Sequence, residues 1–106
     1  MAGKVIVFIT VGSKKTSLTV IKSLLSKRLA ACVNEIQGVN SQYWWKGSIE
    51  KSREILLLVK TKKSLVKRII AEVKKIHPYE VPEIISVEIK EGNDAYLEWI
   101  EKETKG

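Results

Sequence analysis

The apolar positions of this chain fall into alternating blocks that have the period of a strand or the period of a helix. Residues 4–11 are apolar on both parities, which is typical of a strand whose two faces are both buried. Gly12 and Ser13 follow as a turn, and Ser13 is a residue type that caps helices. The helix that begins there is predicted from apolar residues at helical spacing, namely Leu18, Ile21, Leu25 and Leu29.

The middle of the chain predicts a β-hairpin with long arms. Residues 31–43 form an extended segment that is interrupted around Gly38, and residues 48–60 form the returning strand. The turn between them is predicted at residues 44–47, where Gly47 can adopt a positive φ. Arms of this length extend beyond the core of a small domain.

The last third of the chain predicts a helix, a strand and a short final helix. The first of these helices runs from about Ser64 to Ile76, and Pro78 enforces its end. Residues 84–89 predict the fourth strand, and Gly92-Asn93-Asp94 then turns the chain and caps the final helix. The inward stripe of the longer helix consists of Leu65, Ile69, Val73 and Ile76.

This order of elements predicts an α+β fold, a ferredoxin-like βαββαβ sandwich with one added helix, in a single domain at residues 1–106. Both longer helices then lie on one face of an antiparallel sheet, yet the first and third strands are apolar on both parities. We therefore expect a homo-oligomer whose subunits cover the second face. Tyr43, Trp44 and Trp45 would anchor that interface, and the alternative is that they pack onto their own subunit.

Composition narrows the functional classes. The chain has 106 residues, a net charge of +7 and a single cysteine, Cys32, so neither a disulfide nor a zinc–cysteine cluster can form within it. The single cysteine and the absence of a secretory signal predict a reducing, intracellular setting, and we expect no membrane partner because no apolar segment is long enough to span one. Abundant Lys and Glu with little Cys, Met and His suggest a thermophilic source.

The positive charge raises nucleic acid as a partner, and the third strand argues against it. RNA-recognition modules with this order of elements stack bases on aromatic side chains of that strand. Residues 53–60 contain no aromatic residue, and the lysines occur in scattered pairs that are typical of solvated helix faces. We therefore expect no nucleic-acid partner.

The segment 77–84 concentrates the candidate chemistry, because it holds the only histidine, both prolines, a tyrosine and two glutamates. Its prolines stiffen the backbone. His77 is the candidate metal ligand, and Glu80 and Glu83 could add oxygen ligands in a trimer or across an interface. The alternative is that His77 donates to a carbonyl at the helix end. Cys32 is a weaker metal candidate, because a free cysteine in an apolar segment is usually an inert packing residue.

Motifs that run in order along essentially the whole chain resemble the CutA divalent-cation tolerance family. No single motif is specific, but their ordered combination is. The matching segments are Ala31-Cys32-Val33-Asn34, Ser41-x-Tyr43-x-Trp45-x-Gly47-x-Ile49, Glu54 with Lys60-Thr61, His77-Pro78-Tyr79-Glu80-x-Pro82-Glu83-Ile84, Gly92-Asn93 and Tyr96-Leu97-x-Trp99-Ile100.

The resemblance implies a PII-like homotrimer built through the long hairpins, with a cytoplasmic role in tolerance of copper and other divalent cations. It implies no enzymatic activity and no obligatory cofactor, although Cu²⁺ or another divalent cation would bind weakly. Family members tied to copper carry a cysteine near the end of the first strand and a histidine pair before Pro-Tyr. Ile9 and Ile76-His77 occupy those positions, so a soft copper site loses a thiolate and an imidazole.

Other functions remain open for this fold. A PII-like regulator would sense a small ligand in clefts between subunits, with Lys60, Tyr79 and Glu80 facing the cleft. Acylphosphatase-like hydrolysis would need an arginine in the first strand–helix loop to bind phosphate, and this loop offers only lysines.

Overall fold

A computed structural model describes residues 3–105, and this part of the chain forms four strands and three α-helices in the predicted order. Their bounds are β1 Lys4–Val11, α1 Lys14–Ser26, β2 Cys32–Trp45, β3 Ser48–Lys62, α2 Val66–Ile76, β4 Ile84–Glu88 and α3 Asp94–Glu103. A 3₁₀ turn, Lys63–Leu65, precedes α2. The assignment of residues 1–106 to one domain stays a prediction, and residues 1, 2 and 106 lie outside the described range.

The strands form one antiparallel sheet in the order β2-β3-β1-β4. Strands β1 and β3 are therefore central, which explains why their sequences are apolar on both parities. Strands β2 and β4 form the two edges, and their side chains are more exposed. The predicted α+β fold with a four-stranded antiparallel sheet is confirmed, and the element order is that of a ferredoxin-like sandwich.

One face of the sheet packs beneath α1 and α2 and forms the hydrophobic core. Helix α2 and its preceding turn present the predicted stripe, in which Leu65, Ile69 and Val73 are buried and Ile76 is partly buried. The sheet contributes the alternate side chains of its two central strands, which are Val5, Val7, Ile9, Val11, Ile55, Leu57 and Val59.

Helix α1 is rotated from its predicted orientation. Leu18 and Leu25 are 54% and 41% exposed, so these two members of the predicted stripe are wrong, whereas Leu29 is buried and Ile21 packs partly buried against the core. The sequence carries two overlapping apolar stripes that share Ile21, and periodicity alone does not choose between them. The stripe that faces the core includes Ser17, whose buried hydroxyl donates to Glu35 of β2. The buried residues of α1 are Ser17, Val20 and Leu24.

The β2–β3 hairpin has longer arms than predicted. Both Trp44 and Trp45 belong to β2, so the turn contains only Lys46 and Gly47. These two residues have φ values of 49° and 84°, and positive φ at both central positions is what a two-residue type I′ turn requires. The hairpin makes the fold elongated, with principal extents of 44 × 26 × 22 Å.

A β-bulge at Gly38 changes which side chains of β2 point to which face. Strand β2 pairs Ile36 with Leu56 and Val39 with Glu54, so β2 has one extra residue between these two pairs. Gly38 has a φ of 76° there, which a glycine adopts without steric strain. Beyond the bulge, the residues of β2 that face away from the helices are the odd-numbered ones, Val39, Ser41, Tyr43 and Trp45.

The second face of the sheet is only partly covered, and we call it the open face. Its apolar members are Ile6, Phe8, Ile36, Leu56, Leu58, Ile85 and Val87. Helix α3 packs across one end, where Ile100 is buried and Glu101 contacts Lys4 Nζ at 2.8 Å and Lys62 Nζ at 3.2 Å. Apolar side chains at the two edges of the sheet remain exposed: Ile36 is 45% exposed, Ile85 is 55% exposed and Val87 is 48% exposed.

Candidate functional site

The connector, residues 77–83 between α2 and β4, is fixed by the ring of His77. The Tyr79 backbone N–H donates to Nδ1 at 3.2 Å, so the proton of the neutral ring is on Nε2. Nε2 then donates to the Thr10 carbonyl oxygen of β1 at 2.7 Å. His77 is buried, and both of its nitrogens are bound to main-chain groups. A metal ion would have to displace one of these hydrogen bonds.

Tyr79 ties the same connector to β3. Its hydroxyl donates to Oε2 of the buried Glu54 at 2.9 Å. Burial raises the pKa of Tyr79 to about 12, with further contributions from the hydrogen bond to Glu54 and from the charge of that carboxylate. A Cβ atom at Gly12 would lie 2.6 Å from Tyr79 Oη. Gly12 therefore leaves room for this hydroxyl.

The connector and the outer half of the hairpin enclose a groove of about 800 Å³. This volume lies in the range of small-molecule sites. The hydroxyl oxygen of Tyr43 lies 2.6 Å from Ser52 Oγ, and both residues line the groove. The aromatic and acidic side chains that line the groove include Tyr43, Trp45, Glu54, Tyr79, Glu80 and Glu83.

The other predicted site residues lie elsewhere on the open face. Cys32 is at the start of β2, opposite Lys60 of β3. Burial, together with the neighbouring Cys32, raises the pKa of Tyr96 on α3. Lys60 lies about 20 Å along β3 from Glu54 at the usual rise of a strand. One chain therefore does not bring Lys60 together with Tyr79.

The residues of one chain do not fit a metal centre. Within residues 3–105, no group of three or more His, Cys, Asp or Glu side chains is placed to hold an ion. His77 is engaged through both nitrogens, Cys32 lies at the other end of the sheet, and Glu80 is exposed on the connector. The predicted ligands are thus not assembled in a single subunit.

Sequence reasoning assigned no role in the site to Glu54, Gly12 or the Thr10 carbonyl. Glu54 carries a detectable signal, because a carboxylate directly before the apolar run 55–59 falls on a strand that is buried on both faces. The roles of Gly12 and Thr10 depend on the packing of the connector against β1. That packing has no signature in the local sequence.

The sandwich, the extended hairpin and the His-Pro-Tyr-Glu connector place the chain in a class of small ferredoxin-like α+β proteins with an elongated β2–β3 arm. The profile described as CutA1 divalent ion tolerance protein matches residues 5–103. The chain belongs to the CutA divalent-cation tolerance family, as its motifs predicted.

Individual relatives and their solved structures support the same family assignment. Divalent-cation tolerance protein CutA of Thermus thermophilus is 44% identical over 93% of this chain and 96% of its own length. Protein CutA 1, chloroplastic, of Oryza sativa is 42% identical over 95% of this chain, which spans only 57% of that relative. The crystal structure of CutA1 from Oryza sativa gives a TM-score of 0.95 at 40% identity, covering 98% of this chain and 95% of that one. The structure of the Thermus thermophilus protein gives a TM-score of 0.94 at 43% sequence identity. The match covers 96% of this chain and 99% of that one.

These matches favour cation tolerance over a PII-like regulator, and they describe the family by cation tolerance rather than by an enzymatic activity. They leave the cellular location open, because the rice relative is called chloroplastic and a related protein of Archaeoglobus fulgidus is called periplasmic. In the described range 3–105, no helix has the length and apolar character needed to cross a bilayer.

Proposed function

We propose that this protein is a non-enzymatic, cytoplasmic homotrimer of the divalent-cation tolerance class, with a PII-like arrangement of subunits and no obligatory cofactor. The observation that carries the proposal is the open face, where Ile36, Ile85 and Val87 remain about half exposed in one chain. Exposed apolar side chains at both edges of one sheet face are typical of a protein–protein interface.

The outer end of the hairpin supports the same assembly. Trp44 is 73% exposed, and Tyr43 and Trp45 are also exposed, on arms that extend beyond the core. Tyrosine and tryptophan are the side chains that most often anchor interfaces. A neighbouring copy that covered both the open face and this end would remove the largest exposed apolar groups from water.

The assembly is tested by size-exclusion chromatography with light scattering. We expect a mass of three chains of 12.0 kDa each for the unmodified protein. Ile85→Lys places a charge on the open face and should lower the mass to that of one chain, or give an unstable mixture. Leu18→Lys is the matched control, because Leu18 is equally exposed but lies on the helix layer. A well-folded single subunit in dilute buffer would contradict the proposal.

Weak binding of a divalent cation, Cu²⁺ among them, is the second part of the proposal. It is supported by the family and by the exposed Glu80 carboxylate on the connector. Since one chain assembles no ligand group in residues 3–105, any such site draws on residues of more than one copy. The free, half-buried Cys32 supports a reducing compartment.

A further inference from the structure

We propose that the outer surface of the helix layer, residues 14–28 and 63–76, binds the surface of a membrane that contains anionic lipids. The juxtaposition that carries this is an excess of exposed lysines and arginines around two exposed leucines of α1. The helix layer lies on the side of the sheet opposite the open face, so this contact is independent of the proposed assembly. It concerns a partner that the cation-tolerance function does not assign.

The positive charge of the protein is concentrated on this layer. Ten of the 19 Lys and Arg residues lie in residues 14–28 and 63–76, but only one of the 12 Asp and Glu residues does. The two segments therefore carry a net charge of +9, and the rest of the chain carries −2. All ten of these basic residues are exposed. Pairs that are scattered along the sequence are thus brought together in the fold, where they form a surface that attracts polyanions.

Half of these cations are not neutralised by a carboxylate of the same subunit. Five of the ten form no ion pair within residues 3–105, and they are Lys15, Lys22, Lys67, Arg68 and Lys74. The only carboxylate in either segment, that of Glu72, already contacts Lys27 and Lys75. The helix layer therefore has no second carboxylate of its own to offer these five side chains, and they remain available to an external polyanion.

Two leucines on α1 favour a bilayer over other polyanions. Leu18 and Leu25 are about half exposed, and Lys15 and Lys22 each precede one of them by three positions. This spacing places all four residues on one face of the helix, where lysine and leucine alternate. On a membrane surface, the lysines contact anionic headgroups while the leucines enter the boundary between headgroups and acyl chains. The phosphate backbone of a nucleic acid offers the leucines no such apolar environment.

Peripheral binding of this kind needs no segment that spans the membrane. The sequence expectation of no membrane partner rested on the lack of such a segment, and no helix within residues 3–105 could cross a bilayer. A surface contact depends instead on basic and apolar groups that share a face of the folded protein. The cytoplasmic leaflet carries anionic lipids, so the contact fits the cytoplasmic location proposed above.

The test is co-sedimentation of the full chain with phospholipid vesicles at low salt. We expect binding to vesicles rich in phosphatidylserine, little binding to pure phosphatidylcholine, and release at about 1 M salt, where the Debye length falls to about 3 Å. The double variant Lys15→Glu/Lys22→Glu reverses two charges beside the leucines without breaking an ion pair within residues 3–105, and should weaken binding about tenfold or more. Lys90→Glu/Lys102→Glu makes the same change of charge at exposed residues outside the helix layer and should weaken binding far less.

A further double variant separates a bilayer from other polyanions, with duplex DNA as the comparison ligand. Leu18→Gln/Leu25→Gln keeps every charge but removes the apolar groups, so vesicle binding should fall about threefold or more. Unchanged vesicle binding in this variant, equal losses in the two lysine variants, or tighter binding of DNA than of anionic vesicles would overturn the proposal. Melting curves establish that each variant is folded. Light scattering on the same samples separates this inference from the proposed assembly, because a trimer that fails to bind vesicles refutes this inference alone.

Discussion

At the scale of single residues, the connector is held by contacts that tie it to two central strands. His77 fixes it to the Thr10 carbonyl of β1, and Tyr79 fixes it to Glu54 of β3. The two rings also contact each other, with centroids 4.6 Å apart. These side chains therefore act first as structural anchors that shape the groove.

Gly12 is expected to be sensitive to the smallest enlargement. Gly12→Ala would place a methyl group 2.6 Å from Tyr79 Oη, so we expect a loss of about 1–3 kcal/mol in the free energy of unfolding by denaturant titration. The loss should be smaller in a Tyr79→Phe background, since no hydroxyl is then displaced. Gly3→Ala is the matched control, because its Cβ would meet only an ordinary contact at 3.7 Å. Equal costs for both glycines would contradict this account.

The chemistry of His77 illustrates what a sequence leaves open at this scale. A lone histidine beside Pro-Tyr-Glu is compatible with metal binding and with a structural hydrogen bond. The choice depends on whether a carbonyl of a distant strand lies within reach of Nε2, and the Thr10 carbonyl lies 67 positions earlier in the chain. The sequence indicated where the site would lie, but it could not show which partners its side chains would find.

At the scale of secondary-structure elements, the strongest periodic patterns were sufficient to predict the type and the buried face of an element. The double-sided apolar pattern of residues 4–11 predicted a central strand with the bounds that the structure shows. Helix α2 and the turn before it buried Leu65, Ile69 and Val73 of the predicted stripe, and Lys or Arg occupies four of the eleven helix positions away from it. Helix α1 offered two stripes, and only its packing against β2 decides between them. Local patterns therefore predict an element well when they permit one orientation.

Helix α3 is held to the open face by a pH-sensitive contact. Hydrogen bonds from Lys4 and then Lys62 lower the pKa of Glu101 below its ordinary value of 4.5. A carboxyl group with a depressed pKa in the folded state contributes stability above its unfolded pKa and loses that contribution as the pH falls through the folded value.

Glu101→Gln should therefore lower the melting temperature at neutral pH, and the difference from the unmodified protein should vanish as the pH falls well below 4.5. Glu98→Gln on the same helix is the control, since Glu98 is exposed and forms no ion pair among the described residues. A pH-independent difference would show that the contact is not electrostatic. Melting curves across the acidic range provide the measurement.

At the scale of the whole molecule, counting sheet faces was more informative than any single motif. Two helices cover one face, α3 covers one end of the other, and the remaining apolar surface lies at the edges formed by β2 and β4. Hydrophobic patterning predicted this excess of apolar surface. The proposed trimer is one way to cover it, and the number of copies depends on geometry between subunits.

Divalent-cation binding belongs to this scale as well, because one subunit assembles no ligand group in residues 3–105. In calorimetric titration with Cu²⁺, we expect weak heats that decrease in Glu80→Gln and are lost in an assembly-deficient Ile85→Lys variant. Glu91→Gln serves as the charge-matched control and should behave like the unmodified protein. Unchanged binding by dissociated Ile85→Lys subunits would contradict a shared site, and loss of binding in His77→Gln alone would restore His77 as the ligand.

The extra residue at Gly38 has a consequence for how such hairpins can evolve. Past this point, the outward direction of Tyr43 and Trp45 depends on the count of residues in the arm. Inserting or deleting one residue in this arm would turn both rings to the opposite face of the hairpin. Adding or removing two residues in each arm would preserve their direction. The reach of the hairpin can therefore grow or shrink only in steps of about 7 Å, the rise of two strand residues.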